Sequence, residues 1–314
     1  MCVTCIIVNW NSKRYVYDCL RSIEERALDV ITECIVVDSA SFDGVETLIM
    51  ENFRWARFLQ LETNVGFGAA NNIGSMYSTK EYILFLNPDT NLMPGCVTAL
   101  VEAMYALPKA GIVGPKVLNS DGTIQTSCVQ SDPTPWGEAI DSELLRTLFP
   151  RWKVWGNFSA FSSQEPTSVD AVSGACMLVK KSVFQTLGGF RNDYFMYAED
   201  LDLCYRARKK GYEVYHVPRA GVIHYGGSSS SVHSTVWGTL MLRKSLETYM
   251  KLNQGDFSAF LYRLLQGVSA MIRLCLLSPG LIFAQKTKRH ATKTSVNKWW
   301  NVLLWSLGAS RIFI

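Results

Sequence analysis

The stretch Tyr82-Ile-Leu-Phe-Leu-Asn-Pro-Asp-Thr90 sets a short apolar run directly before a polar turn that carries a carboxylate. An apolar run of this length, bounded by Asn and Pro, predicts a buried β-strand over 82–86. The same order occurs upstream, where two other apolar runs end at Asn9 and at Asp38. Helical patterns separate the runs, so we expect an α/β domain with a mostly parallel central sheet.

The polar residues after these runs are candidates for binding a ligand, because ligands of open parallel sheets lie at the carboxyl ends of the strands. Asp38 is placed to accept a hydrogen bond from a nucleobase N–H or a ribose hydroxyl, and an Asx-type turn is the alternative. The glycine-rich turn from Asn64 to Asn71 leads into a helix and permits close backbone approach to a ligand. The nucleotide- or donor-binding candidates are Asn9, Asn11, Asp38, Asn64, Gly66, Asn71 and Asn87.

A second polar stretch, Phe195-Met-Tyr-Ala-Glu-Asp-Leu-Asp-Leu-Cys-Tyr-Arg206, predicts a helix that begins at two adjacent carboxylates. The first turn of a helix has free backbone N–H groups, which keep a carboxylate ionised and fixed in orientation. Asp200 therefore has the properties of a general base. Asp202 and Arg206 stand four positions apart and are predicted to form a structural ion pair.

Asp89 and His224 are the metal-ligand candidates. A hard divalent cation bound to a diphosphate takes only one or two protein carboxylates, because phosphate and water supply the other ligands. A histidine ligand suits Mn²⁺ better than Mg²⁺. We therefore predict that Asp89 and His224 hold Mn²⁺ or Mg²⁺, and a buried structural histidine is the alternative for His224.

Composition divides the chain of 314 residues into an acidic body and a basic tail. Residues 231–314 contain eleven Lys or Arg against two acidic residues, a net charge of +9, which leaves −5 on residues 1–230. The nine cysteines are scattered, which favours a reducing compartment over a disulfide framework. The first residues form a strand-like segment without a basic start, so we expect no signal peptide and a cytoplasmic protein.

The segments outside the regular α/β pattern carry their own expectations. Residues 127–168 contain several prolines and tryptophans, and we interpret them as an irregular insertion near an acceptor cleft, with a plain surface excursion as the alternative. Residues 231–314 combine amphipathic helical patterns with lysines and tryptophans, which is typical of a helix lying on an anionic membrane surface. A helical hairpin packed on the body and a homodimer contact are the alternatives.

Six ordered motifs resemble those of the family 2 glycosyltransferases, over about residues 3–230. They are Ile6-Ile-Val-Asn-Trp-Asn11, Val37-Asp-Ser-Ala-Ser-Phe-Asp-Gly44, Asn64-Val-Gly-Phe-Gly-Ala-Ala-Asn-Asn72, Asn87-Pro-Asp89, Ser173-Gly-Ala-Cys-Met177 and Glu199-Asp-Leu-Asp-Leu-Cys-Tyr-Arg206. The likeness is greatest to a rhamnosyltransferase-like branch that acts on lipid-linked glycans. The resemblance implies a GT-A fold, a nucleoside-diphosphate sugar donor and an inverting mechanism.

The resemblance also implies roles for individual residues. It assigns the base to Asp200, with Gly174 and Glu199 supporting the loop or the acceptor. The final residue of Asn87-Pro-Asp89 corresponds to the family's metal ligand, and the first carboxylate of that motif is here an amide. His224 corresponds to the family's late metal-binding histidine.

These expectations combine into a GT-A domain at 1–230 with a basic helical extension at 231–314. We expect an inverting transfer of rhamnose or another hexose from a dTDP- or UDP-sugar to a polyprenyl-diphosphate-linked saccharide, in cell-surface polysaccharide synthesis. The enzyme would lie on the inner face of the cell membrane and bind no nucleic acid. A nucleotidyltransferase and a non-catalytic glycan- or lipid-binding protein are the alternatives.

Overall fold

The computed structural model describes residues 2–141, 145, 148–149, 158–226, 235–283 and 286–309. The chain separates into two compact units, of which the first is Met1–Asp132 with Gly156–Ser229. The second unit is Pro133–Trp155 with Ser230–Ile314. One division between the units falls near residue 230, and the described residues from Pro133 to Asp141 group with the C-terminal residues. The domain organisation and the role of the insertion at 127–168 stay predictions, since residues 142–144, 146–147, 150–157 and 227–234 lie outside the described part of the chain.

The helices and strands follow the alternation predicted for the first hundred residues. In chain order they are β1 (Val3–Asn9), α1 (Lys13–Arg26), β2 (Ile31–Asp38), α2 (Val45–Asn52), β3 (Ala56–Gln60), α3 (Phe67–Met76), β4 (Tyr82–Leu86), β5 (Thr90–Leu92), α4 (Cys96–Ala106), β6 (Ala110–Leu118), β7 (Val129–Gln130), α5 (Pro135–Ile140), α6 (Phe158–Ser162), β8 (Thr167–Ser168), β9 (Ala171–Val172), β10 (Cys176–Lys180), α7 (Lys181–Thr186), α8 (Glu199–Lys209), β11 (Glu213–His224), α9 (Thr235–Gln254), α10 (Asp256–Phe283) and α11 (Lys286–Ser306).

The first unit is built on a central sheet of nine strands among the residues described, in the order β3-β2-β1-β4-β10-β6-β11-β5, with β8 beside β11. Strands β3, β2, β1 and β4 are parallel, whereas β10 is antiparallel to both of its neighbours. Every residue of β1 and of β4 is buried, as expected for strands covered on both faces. The strand predicted over 82–86 is confirmed.

Two antiparallel pairings bring distant parts of the chain to the carboxyl end of β4. The start of β10 pairs with the end of β4, Cys176 opposite Leu86, so the residues before β10 lie beside the turn after β4. The end of β11 pairs with the short β5, so that His224 lies opposite Thr90. These registers determine which side chains meet at the site.

The second unit consists of α5 with α9, α10 and α11. Its helices are joined by polar contacts: Gln266 donates to the carbonyl of Glu138 at 3.0 Å, and Ser269 donates to that of Ala139 at 2.8 Å. These bonds join α5 to α10 within the second unit. In the described part of the chain, Asp256–Ser278 is long and apolar enough to cross a membrane. Length and composition alone are weak evidence of a membrane span, because the core helix of a soluble protein can have the same length and composition.

Candidate active site

The first four parallel strands present polar residues at one edge of the sheet. The strand register sets Asn9 opposite Asp38, and Asp38 opposite Gln60. Asn87 follows directly after β4. The structure therefore brings together the strand-end residues as predicted, and it adds Gln60, whose position at the end of β3 was the available signal.

Asp38 is the hub of this edge. Its carboxylate is fully buried and accepts hydrogen bonds from Asn9 Nδ2 at 2.6 Å and Gln60 Nε2 at 2.8 Å. The backbone N–H groups of Ser41 and Phe42 and the Ser41 hydroxyl also donate to it. Burial on its own raises the pKa of Asp38, but the donors, Ser41 and Gln60 first, outweigh it and hold the pKa below its ordinary value. Asp38 is thus an ionised anchor for the loop that follows β2.

The loops at this edge have strained backbones. The non-glycine residues with positive φ, within the part of the chain described, are Asn11, Ala40, Phe42, Tyr197 and Ala198. Each such conformation costs on the order of 1–3 kcal/mol, and such residues cluster at functional sites. The first three lie in the loops after β1 and β2, and the last two precede the Glu199–Asp200 pair. Asn11 is exposed, and Asn9 is buried with its Oδ1 accepting from the Ser12 N–H.

The glycine-rich turn makes a close backbone approach to another segment of the chain, and its approach to a ligand stays a prediction. Gly66 has a φ of +83°, and a Cβ there would lie 2.2 Å from the carbonyl oxygen of Phe195. Asn64 accepts from the Gly66 N–H at 3.0 Å and so holds the turn. Asn71 is buried and donates to the Phe67 carbonyl, while its Oδ1 meets no hydrogen-bond donor among the described residues. The turn therefore holds the Phe195 loop against the start of α3.

Asp89 and His224 meet beside the end of β4. The His224 Nε2 lies 3.2 Å from Asp89 Oδ1, and it lies 3.4 Å from the Asn87 Nδ2. Gln125 lies behind the ring: its Oε1 is 3.0 Å from His224 Nδ1, and its Nε2 donates to the His224 carbonyl at 2.7 Å. With the Nδ1 proton directed to Gln125, the Nε2 lone pair is directed toward Asp89, which is the arrangement of a metal-binding histidine.

The pair fits a divalent cation by chemistry and by spacing. Two ligands about 2.1 Å from a cation and at right angles lie about 3 Å apart, near the observed Asp89–His224 separation. No group of three or more His, Cys, Asp or Glu suited to a metal occurs among the described residues. A cation held by these two residues therefore takes its other ligands from a diphosphate and water. Gln125 was not foreseen, because nothing in the local sequence indicates which residue lies behind the histidine.

Asp200 is held by backbone donors at the start of α8. The Gly174 N–H donates to its Oδ2 and the Leu201 N–H to its Oδ1, both at 2.8 Å. The carboxylate is half-buried, and burial raises its pKa above the ordinary value although these donors oppose the shift. A raised pKa brings a carboxylate closer to the pH at which proton abstraction is efficient. Gly174 thus supports Asp200 directly.

Glu199 differs from its neighbour in protonation. It is buried, and its Oε2 has no hydrogen-bond partner among the described residues. Burial, and then the charge of Asp200, raise the pKa of Glu199 to about 8. Glu199 is therefore the carboxyl of the pair that holds a proton at neutral pH.

The ion pair predicted at the next turn of this helix is present. Asp202 is fully buried between Arg206 at 2.6 Å and Arg191 at 2.8 Å. Arg206 also donates to the carbonyls of Leu187 and Gly189. Asp202 therefore ties α8 to the preceding loop, in line with the structural role expected for it.

Asp89 and Asp200 share one edge of the sheet through the segment before β10. The Asn87 N–H, two residues before Asp89, donates to the Ala175 carbonyl at 2.9 Å. The adjacent residue, Gly174, donates to Asp200. The candidate base and the candidate metal ligands thus flank one short backbone segment, and this juxtaposition requires the antiparallel insertion of β10.

Three comparisons with known proteins agree with this architecture. Residues 4–188 match the family model described as Glycosyl transferase family 2. Over 211 residues, 62% of this chain and 67% of the relative, the sequence is 31% identical to N-acetylglucosaminyl-diphospho-decaprenol L-rhamnosyltransferase of Mycobacterium tuberculosis. It is 31% identical to Rhamnosyltransferase WbbL of Escherichia coli K12 over 172 residues, 51% of this chain and 61% of the relative.

A solved structure supports the fold. Mannosyltransferase PcManGT from Pyrobaculum calidifontis, in complex with GDP-Man and Mn²⁺, superposes with a TM-score of 0.57 at 17% identity. The superposition covers 98% of this chain and 88% of that one. The expected GT-A fold is confirmed.

Proposed function

The chain belongs to glycosyl transferase family 2, and on that premise we propose that it is a metal-dependent, inverting transferase that moves a sugar from a nucleotide donor to a lipid-linked saccharide. The observation that carries the proposal is the placement of Asp200 and the Asp89–His224 pair on either side of the Gly174–Ala175 backbone. A nucleotide-sugar transferase requires a base for the acceptor and a counter-charge for the leaving diphosphate. Both are available at this edge of the sheet.

In this mechanism Asp200 takes the proton from an acceptor hydroxyl. The oxygen forms a bond to the anomeric carbon from the face opposite the diphosphate, and the bond from that carbon to the diphosphate oxygen breaks, which inverts the configuration. The Gly174 and Leu201 N–H groups hold the Asp200 carboxylate in place during the transfer. A divalent cation on Asp89 and His224 would neutralise the charge that develops on the leaving group.

The donor we propose is a dTDP- or UDP-sugar, with rhamnose as the first sugar to test. Support for rhamnose comes from the relatives in M. tuberculosis and E. coli, both of which are rhamnosyltransferases. At the nucleotide end, Asp38 with Asn9 and Gln60 offers an ionised acceptor group. All of its nearby donors already belong to the chain, so a nucleobase N–H would take the place of one of them.

A thermal-shift screen against UDP-, dTDP- and GDP-sugars, with and without Mn²⁺, tests the donor site. We expect stabilisation by one nucleotide only, enhanced by the metal, because ligands that bind the folded state raise its stability. Asp89→Ala should remove the metal-dependent part of the shift. Asp29→Ala is the matched control, since Asp29 is exposed and precedes β2 at the opposite edge of the sheet. If Asp89→Ala kept the full metal effect, the metal site would have to be placed elsewhere.

The acceptor we propose is a polyprenyl-diphosphate-linked saccharide, reached from the cytoplasmic face of the membrane by a peripherally bound enzyme. In the second unit, α10 exposes a stripe of apolar side chains at helical spacing, namely Phe257, Phe260, Leu264, Val268 and Met271. The opposite face of α10 bonds to α5 through Gln266 and Ser269. This two-sided character favours a helix lying on the membrane over one that spans it.

Vesicle sedimentation tests the membrane contact. Binding to vesicles that contain phosphatidylglycerol should exceed binding to phosphatidylcholine vesicles and should weaken as salt is added, because the second unit is basic. The double substitution Phe257→Ser and Phe260→Ser should reduce binding to both. If vesicle binding did not change with lipid composition, with salt or with these substitutions, the protein would not be a peripheral membrane enzyme.

A further inference from the structure

Three cationic side chains converge on one indole ring within the second unit. The guanidinium carbon of Arg273 lies 4.1 Å from the centre of the Trp299 ring, and that of Arg243 lies 5.2 Å from it. The Lys298 Nζ lies 5.6 Å from the same centre. The three cations come from α9, α10 and α11, so the tertiary arrangement of the helices, not local sequence, assembles them.

Among the described residues, each guanidinium of this cluster makes one hydrogen bond. Each guanidinium has five N–H donors. Arg243 donates to the Thr239 carbonyl and Arg273 donates to the Asp141 carbonyl. The Arg243 Nε is buried and meets no acceptor among the described residues. A buried donor without an acceptor costs about 1–3 kcal/mol, so an incoming acceptor group would be stabilised here.

The charges in the cluster repel one another. Burial, and then the charges of Arg243 and Arg273, lower the pKa of Lys298. Burial and Arg243 likewise lower the pKa of Arg273, and Asp141 offsets only part of this. Burial lowers the pKa of Arg243 as well, although Tyr262, Glu138 and Asp141 favour its charged form. Among the described residues, Glu138 and Asp141 offset only part of the repulsion between these cations.

A second Arg–Trp pair in the same unit shows what a balanced arrangement looks like. Arg263 lies 5.4 Å from the centre of the Trp305 ring. Its guanidinium forms a 3.2 Å ion pair with Glu247 and donates to the carbonyls of Trp305 and Ser306. Arg263 is thus neutralised by Glu247, whereas no ion pair to Arg243, Arg273 or Lys298 occurs among the described residues.

We infer that Arg243, Arg273 and Lys298 form a binding site for a diphosphate group. Planar guanidinium forks match phosphate oxygens, and the ammonium adds a point charge, so these side chains together present the donors that a diphosphate accepts. A single phosphodiester carries one negative charge, whereas three cations suit the two or more charges of a diphosphate. The inference rests on the proposed function in one respect only: the lipid-linked acceptor is a source of such a group.

The test is calorimetric titration of the full chain in EDTA, so that no divalent cation supports diphosphate binding at Asp89 and His224. The probes are farnesyl diphosphate and inorganic pyrophosphate. Lys298→Gln should weaken binding about tenfold or more, since it removes a charge-assisted contact. Lys293→Gln is the matched control, because Lys293 lies on the same helix and is exposed. Arg273→Lys keeps the charge but loses the planar fork, and should give an intermediate loss.

The outcomes separate the sources of the diphosphate. Binding of farnesyl diphosphate alone, with loss in Lys298→Gln, assigns the site to a lipid-borne diphosphate. Equal binding of pyrophosphate, with the same loss, assigns it to a soluble diphosphate. The inference is overturned if Lys298→Gln and Arg273→Lys bind like the parent chain, or if phosphatidylglycerol vesicles bind as tightly and with the same dependence on Lys298. If the proposed function were wrong, no nucleotide sugar would stabilise the protein in the metal-dependent thermal-shift screen, and the diphosphate titrations would be unchanged.

Discussion

Replacing the Asp200 carboxylate by an amide gives the sharpest test of the catalytic assignment. The side chain keeps its shape, but Asn has one acceptor oxygen where Asp has two. The Gly174 and Leu201 N–H groups each use a different oxygen of Asp200, so one of them would face an NH₂ group in Asp200→Asn. An unsatisfied buried donor costs about 1–3 kcal/mol of folding stability. For a domain of this size that corresponds to a fall in Tm of roughly 2–4 °C per kcal/mol.

The effect on turnover should be much larger than the effect on stability. Loss of a positioned base costs about 10²–10⁴-fold in rate, equivalent to about 3–5 kcal/mol of transition-state stabilisation. The donor should bind Asp200→Asn as it binds the parent chain, because Asp200 acts on the acceptor. The assay is transfer to a lipid-linked acceptor under single-turnover conditions, with donor affinity measured separately.

The pH dependence of the same reaction gives an independent check. Asp200 must be ionised to act, so the rate should rise with pH through its pKa and fall as acid protonates it. Because burial raises that pKa, the acid limb should lie above the value of about 4 typical of an exposed Asp. Asp200→Asn should lose this limb.

Glu199→Gln is the matched control for Asp200→Asn. With a pKa of about 8, Glu199 is protonated at neutral pH, and a neutral amide of the same size imitates that state. Glu199→Gln should therefore keep most of its activity at pH 7. If both substitutions lowered the rate equally, or if Asp200→Asn retained a near-normal rate, the base would not be Asp200.

Three further predictions concern the surroundings of the site and the core. Gln125→Leu removes the partner of His224 Nδ1, so it should weaken the apparent Mn²⁺ affinity about 10–100-fold. Metal titration of donor binding measures this affinity, and an unchanged value would contradict the role given to Gln125. Gly66→Ala places a Cβ 2.2 Å from the Phe195 carbonyl oxygen, at a residue with positive φ. This substitution should lower Tm by several degrees and reduce turnover, and an unchanged Tm would show that the turn is not tightly held. Burial lowers the pKa of His216 from 6.5 to about 4. Between these pH values the unfolded chain binds a proton at His216 that the folded chain does not bind. The free energy of unfolding should therefore fall by up to about 3 kcal/mol as pH falls from 6.5 to 4. Urea unfolding at pH 7 and pH 5 should show about 2 kcal/mol of this loss in the parent chain and less in His216→Leu. An equal loss of unfolding free energy in both proteins would refute the prediction.

Much of the site was predictable because its residues lie at the ends of patterns that local sequence defines. The end of β4 is visible in the sequence because its apolar run stops at Leu86, so the carboxylate of Asp89, three residues later, is expected at the carboxyl end of the strand. The position of Asp200 was predictable in the same way, because the start of a helix is recognisable in a sequence and its free N–H groups favour an anion there. The distribution of charge likewise distinguishes an acidic body from a basic C-terminal part in the sequence alone.

Other contacts depend on pairings across long stretches of chain. His224 lies beside Asp89 because β11 pairs with β5, and Gln125 lies behind that histidine although the two are 99 positions apart. The Trp299 cluster gathers cations from three helices. The grouping of α5 with α10 rests on carbonyls that accept from Gln266 and Ser269. Nothing in the residues near any of these positions specifies the partner.

By itself, then, the sequence determined the alternation of strands and helices, the edge at which polar groups collect, and the residue types available for chemistry there. Those properties follow from local periodicity and from the free groups at element ends. Only the tertiary structure decided which groups touch: Gln60 on Asp38, Gly174 on Asp200, Gln125 on His224. The physical reason is that strand register and helix packing are set by the summed burial of many side chains, and no single segment contains that sum.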